Sequence, residues 1–184
     1  MAPPKDIARS YPKRGLTADV GFRSEPKFCG DGSTEFDGSA DELSTTATLS
    51  VATVPIQTFC VWVKPTTVNA NRGIVVNGLS NSNDAFYLYQ YLTGYGQASN
   101  TSSPGQSRNF ALNSVKQDQW QFVCGVYDAT DPASVSFSLY VDGVSYSDTA
   151  PLGTGAVSGF FKVGRSSSGY FAGKIANVKV FDVA

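Results

Sequence analysis

Residues Trp120–Val144, WQFVCGVYDATDPASVSFSLYVDGV, decide the fold. Gln121–Asp128 is a mostly apolar run, Ala129–Ala133 interrupts it with turn-forming residues, and Ser134–Val141 alternates. In the second run Val135, Phe137, Leu139 and Val141 share one face, while Ser134, Ser136, Ser138 and Tyr140 share the other. A period of two places one side on a core and the other toward water. Asp142-Gly143 then supplies a tight hairpin, because Gly tolerates positive φ and Asp can bond its own backbone. The chain is expected to return along Val144–Thr149.

The same pattern continues outward. Thr34–Gly38 reads as a first edge strand and turn, followed by strands at Thr45–Val51 and Ile56–Lys64, and later at Phe160–Val163 and Tyr170–Phe181. The last strand is expected to pair near the first. Gly, Ser, Thr and Asn are plentiful, and no long stretch keeps a helical period. These features favour an all-β, two-sheet antiparallel sandwich over a helical bundle or an α/β fold. At 184 residues the chain suits one domain. Ala98–Asn109 and Pro151–Gly159 read as polar loops, and Asn100-Thr101-Ser102 is a glycosylation sequon that matters only after export.

Residues 1–27 read differently. Four prolines and few apolar residues predict an extended arm, with 28–184 forming the sandwich. The arm carries six basic and three acidic residues, net +3. The remainder carries eight and twelve, net −4. That excess is too small to make nucleic acid the main partner. A protein scaffold is the expected docking surface, with Ile7, Tyr11, Leu16, Val20 and Phe22 as anchors. No apolar run of membrane-spanning length and no secretory signal is evident, so a soluble chain kept in a cytosol is expected.

The Trp120 strand VCGVYD, the LYVDGV hairpin, the upstream FCVWVKP of residues 59–65 and FAGKIANVKVFD of residues 171–182 occur in the order found in one superfamily. Over roughly Cys29–Ala184 the chain resembles concanavalin A-like lectin/glucanase sandwiches (jelly rolls), in particular their laminin G-like and pentraxin-like branches. Folds of this kind host lectins, glycosidases and adhesion modules alike. The resemblance to pentraxins places half-cystines at Cys60 and Cys124, and a bond between them would be worth about 4 kcal/mol on the chain-entropy model. Two small buried thiols are the alternative, and the expected cytosolic origin favours them. Cys29 has no evident partner.

The same resemblance implies calcium ligands at Asn83 and Asp84, the rest coming from an acidic loop near the end. Here that loop reads Val163-Gly164-Arg165-Ser166-Ser167-Ser168-Gly169-Tyr170, with no carboxylate. Calcium needs six to eight oxygens, so only a laminin G-like site completed by backbone carbonyls remains open. No other cofactor is expected.

Two further sets of residues bear on chemistry. Tyr87, Tyr89 and Tyr91 fall on one face of a strand near Asn81–Tyr95, with Phe86, Leu88 and Leu92 opposite. With Tyr95 they could stack on sugars, or they could pack across the sheet, which weighs more. Glu35, Asp37, Asp41 and Glu42 invite comparison with glycosidase carboxylates, but only Glu35 and Asp37 have the spacing that places two carboxyls on one strand face. Solvated turn residues are the better reading. The absence of His excludes Ser-His-Asp and Cys-His catalysis and removes the commonest zinc ligand. The expectation is a non-catalytic, multi-copy component of a larger assembly, such as a virion decoration, fibre or tail protein made in a host cytoplasm. A carbohydrate-binding lectin module, secreted or cell-surface, is the alternative.

Overall fold

Alternation of apolar and polar residues becomes paired strands throughout the computed structural model. It describes residues 20–22, 27–28, 32–50, 56–79, 83–99, 106–128, 130–131, 135–150, 158–166 and 169–181. In chain order the strands are β1 (Val20–Phe22), β2 (Lys27–Phe28), β3 (Thr34–Asp37), β4 (Leu43–Ser50), β5 (Ile56–Pro65), β6 (Ala70–Leu79), β7 (Asn83–Leu92) and β8 (Gly94–Ser99). They continue with β9 (Gln106–Ala111), β10 (Gln121–Asp128), β11 (Val135–Val141), β12 (Val144–Ala150), β13 (Ser158–Val163), β14 (Arg165–Ser166), β15 (Gly169–Tyr170) and β16 (Ala172–Phe181). Among the described residues there is no helix, and hence none long and apolar enough to cross a membrane.

Two seven-stranded antiparallel sheets form the sandwich. Sheet I runs β1-β4-β13-β6-β7-β8-β9, and sheet II runs β12-β11-β10-β5-β16-β3-β2. Between them lies a core to which sheet II gives Phe59, Val61, Val63, Val123, Phe137 and Leu139, and sheet I gives Ile74, Val75, Leu88 and Val163. Phe59 on β5 meets Phe161 on β13 edge to face at 5.9 Å, so aromatic packing bridges the layers. Burying each large side chain in this way contributes roughly 1.5–3 kcal/mol. Where sheet I hands over to the β14–β15 hairpin, Gly164 has φ +85 and leaves room for the Phe36 ring, which a Cβ would meet at 2.3 Å.

The organising hairpin forms as its sequence requires. Val141 and Val144 are paired Cα partners around Asp142 (φ 51) and Gly143 (φ 87). The Asp142 carboxylate, however, accepts from the Phe122 amide at 2.9 Å and from Gln121 Nε2 at 3.1 Å. It ties the turn to strand β10, beside the hairpin, rather than to its own backbone. As anticipated, β16 pairs with β3.

Two expectations change, and one strand was not foreseen. The stretch Ala98–Asn109, read as one polar loop, contributes to two paired strands, β8 and β9, because ladder hydrogen bonds do not need apolar side chains. Strand β6, ANRGIVVNGL, had no clean alternation to announce it, and its pairing with β7 shifts register twice. Finally, part of the N-terminal arm belongs to the sandwich. Val20–Phe22 pairs with Leu43–Thr45 at one edge of sheet I, and Lys27–Phe28 pairs with Thr34–Glu35 at one edge of sheet II. Strand β3 is therefore internal, and Val20 and Phe22 sit in an intramolecular strand. Ile7, Tyr11, Leu16 and Cys29 lie outside the described residues.

Candidate functional site

The tyrosines divide between two environments. Tyr87 pairs with Val76 and faces away from the main core, where Val76, Tyr87 and Tyr89 form a second buried cluster with Tyr91 against it. Tyr87 and Tyr89 are only 5% and 3% exposed. Their rings lie 5.0 Å apart, and Tyr89 meets Tyr91 at 6.0 Å. The row is packing rather than an open platform. Tyr95 leaves the row altogether, since the turn after Leu92 pairs it with Gln90 and Ala111 on the inner face. It is fully buried there, and its hydroxyl donates to Gln121 Oε1 at 2.9 Å. Burial, and secondarily the Asp142 charge, push the phenol well above its usual range. Tyr95 is thus a core residue and cannot reach a sugar.

Among the described residues, the exposed aromatic rings are on the other sheet. Strand β10 pairs with β5 so that Phe122 opposes Trp62, Cys124 opposes Cys60 and Val126 opposes Thr58, all with side chains outward, since Val61, Val63, Val123 and Tyr127 point inward. Trp62 and Phe122 are part-buried, with ring centroids 5.5 Å apart. In the neighbouring strands, Tyr140 opposes Cys124 and Phe181 opposes Thr58. They are 38% and 44% exposed. Ser138 and Ser147, paired partners across β11 and β12, put hydroxyls on the same face. Lys64 and Lys174, paired across β5 and β16, bring charge to its rim. Sequence reading missed this site because FCVWV and FVCGVYD are apolar on both faces. The available signal was the excess: a strand needs one apolar face for the core, and these two carry a second.

The candidate carboxylates are all engaged in structure. Asp37 accepts from the Ser39 hydroxyl at 2.6 Å, the Ser39 amide at 2.7 Å and the Ala40 amide at 3.2 Å. These bonds lower its pKa to about 2. Such a group stays ionised and does not act as an acid at neutral pH. Asp41 accepts from the Asp37 amide. Glu42 is not a solvated turn residue. It is buried and paired with Arg165 at 2.8 Å and Lys162 at 3.7 Å. That pairing compensates what burial of its charge would cost.

A laminin G profile, described as "Concanavalin A-like lectin/glucanases superfamily", matches residues 32–184. The chain belongs to this superfamily. Among solved structures it is similar to a heptameric SAP-like pentraxin from Limulus polyphemus, at 20% identity and TM-score 0.63, covering 83% of this chain and 76% of that one. It is similar to the LG4-5 domains of the mouse laminin alpha1 chain at 15% identity and TM-score 0.59, covering 83% and 41%. A structure of botulinum neurotoxin type C, a toxin that interacts with two ganglioside molecules, is similar at 13% identity and TM-score 0.63, covering 90% and 43%. The chain thus spans less than half of the laminin and neurotoxin chains it matches. No curated protein sequence matches it.

Asn83 and Asp84 open strand β7 itself, paired with Leu79 and Gly78, while Gly164, just ahead of Arg165, bonds Ile74. Four residue steps along β6, from Ile74 to Gly78, separate these points, on the order of 13 Å. The loop that was to supply carboxylates instead carries Arg165, engaged with Glu42 and lying 4.9 Å over the Tyr170 ring. Among the described residues, no three His, Cys, Asp or Glu gather as a metal site. The sulfurs of Cys60 and Cys124 face one another, 2.6 Å apart. Cys124, hydrogen-bonded to Cys60 and desolvated, is pushed up. Cys60 is lowered by the same bond, and Lys179 adds to the lowering.

Proposed function

We propose that this chain is a non-catalytic, lectin-like domain that binds carbohydrate on the outer face of sheet II and is displayed on a larger assembly. The observation that carries the proposal is the part-exposed Trp62–Phe122 pair, flanked by exposed Tyr140 and Phe181 on one continuous sheet face. Aromatic rings cover the apolar C–H face of a sugar, while the tyrosine hydroxyl and neighbouring serines meet its hydroxyls. Membership of a lectin-containing superfamily and likeness to a ganglioside-interacting neurotoxin structure support the reading. The engaged carboxylates Asp37 and Glu42 support a non-catalytic role.

A glycan array on the full chain tests it, comparing wild type with Trp62→Ala and Tyr140→Ala, and with Tyr89→Phe as a control. Loss of bound sugars in the first two but not in the third is expected. Binding that survives both sheet II changes, or no glycan bound at all, overturns the proposal.

The assembly reading rests on the basic N-terminal segment. We propose a virion surface, as decoration, fibre or tail, with the part of residues 1–27 outside strands β1 and β2 contacting a capsid or tail protein. The net +3 of that segment against the net −4 of the rest supports it, as does the heptameric state of the similar pentraxin. Limited proteolysis compares particle-bound with free chain: protection of the segment only in the particle is expected, and equal cleavage in both argues against docking.

A further inference from the structure

The two thiols lie at the centre of sheet II's outer face. Strands β5 and β10 are neighbours, bounded by β16 and β11, so neither cysteine is on a sheet edge. Cys60 and Cys124 are direct Cα partners. Paired residues of adjacent antiparallel strands have Cα atoms about 4.5–5.5 Å apart, inside the window that a disulfide spans. Their sulfurs are already in contact at 2.6 Å. The two differ in access, however. Cys60 is part-exposed, whereas Cys124 is buried, with Tyr140 its cross-strand neighbour on the other side. On its own far side Cys60 has Lys179 as Cα partner. A small molecule bearing carboxylates therefore meets Cys60 and a lysine first.

We propose that Cys60 and Cys124 form a directional thiol–disulfide exchange site, at which Cys60 attacks a low-molecular-weight disulfide of the glutathione class and Cys124 resolves the adduct. In the first step the Cys60 thiolate attacks one sulfur of oxidised glutathione, forming a mixed disulfide and expelling one glutathione thiolate. In the second, the Cys124 thiol gives its proton to that thiolate and attacks the Cys60 sulfur. The mixed disulfide breaks, the Cys60–Cys124 bond forms, and a second glutathione thiolate leaves, taking the proton first lost by Cys60. Two protein thiols are oxidised and one disulfide is reduced to two thiols. Attack requires thiolate; Lys179 and the bond from Cys124 favour that form at Cys60. The inference concerns sulfur chemistry alone and does not depend on sugar binding.

The test is a quenched time course of the full chain with oxidised glutathione, read by mass spectrometry of the individual cysteine peptides so that Cys29 is counted apart. In wild type, the first adduct is expected on Cys60, followed by a Cys60–Cys124 crosslink. Cys124→Ser should retain a stable adduct on Cys60, whereas Cys60→Ser should modify Cys124 at least tenfold more slowly. Lys179→Met in the Cys124→Ser background should slow the Cys60 adduct severalfold. A first wild-type adduct on Cys124, or a Cys60 adduct that persists without closing, overturns the proposal. The wild-type course involves no substitution, so misfolding of a variant cannot produce either result.

Discussion

Tyr89 and Tyr140 both point away from the main core, one on each sheet, yet Tyr89 is 3% exposed and Tyr140 38%. Around Tyr89 the outer face of sheet I is an interior, with Val76 and Tyr87 buried beside it. Around Tyr140 the outer face of sheet II keeps Trp62, Phe122 and Phe181 partly in water. Alternating aromatics in two strands thus have opposite uses. Period two says which residues share a face, but not what lies above that face.

The largest expected effect is at Tyr89. Tyr89→Ala should lower unfolding stability by about 3–5 kcal/mol, the cost of removing a buried aromatic. Tyr140→Ala should stay within about 0.5 kcal/mol, as surface changes do. Urea denaturation of both variants decides: equal costs would mean the two outer faces are not different.

The inner-face tyrosine sharpens the contrast. Tyr95→Phe removes a buried hydroxyl bonded to Gln121 and should cost about 1–2 kcal/mol at neutral pH. Its raised pKa also fixes a sign. The folded chain holds this proton more tightly than the unfolded chain does, so the contribution is fully present below the ordinary tyrosine pKa of about 10 and is lost as pH rises above it. Unfolding followed from pH 8 to 11 should show wild type losing more stability than Tyr95→Phe, and parallel curves would refute the burial argument.

A smaller effect belongs to the rim of the open face. Ser39→Ala should bring the Asp37 pKa from about 2 back toward 3.8, read by NMR titration of the carboxyl. Asp37's pKa is depressed, so its contribution is present above 3.8 and falls away only as pH drops through about 2. An unmoved pKa in the variant would show that the serine bonds are not what holds it down.

Much of the fold was legible. Gln121–Asp128 and the Asp142-Gly143 turn stood out because strand alternation and turn chemistry are local. The register that sets Cys60 against Cys124 joins strands far apart in sequence, and no local pattern announces it. Strand β6 was not legible, since buried Ile74, Val75 and Val76 in succession show no alternation across a register shift. The aromatic site on sheet II was hidden for a related reason: Trp62 and Phe122 come from strands far apart in sequence, and only their pairing makes one surface.

The sequence by itself determined the all-β class, the key hairpin, the absence of histidine chemistry and the superfamily. Composition, turn residues and motif order act locally or along the chain. Tertiary structure alone decided that Tyr95 is core, that Glu42 is buried between Arg165 and Lys162, and that, among the described residues, the exposed aromatic rings Tyr140 and Phe181 are on sheet II. Exposure is a property of what packs over a residue, and that is set by segments remote in sequence.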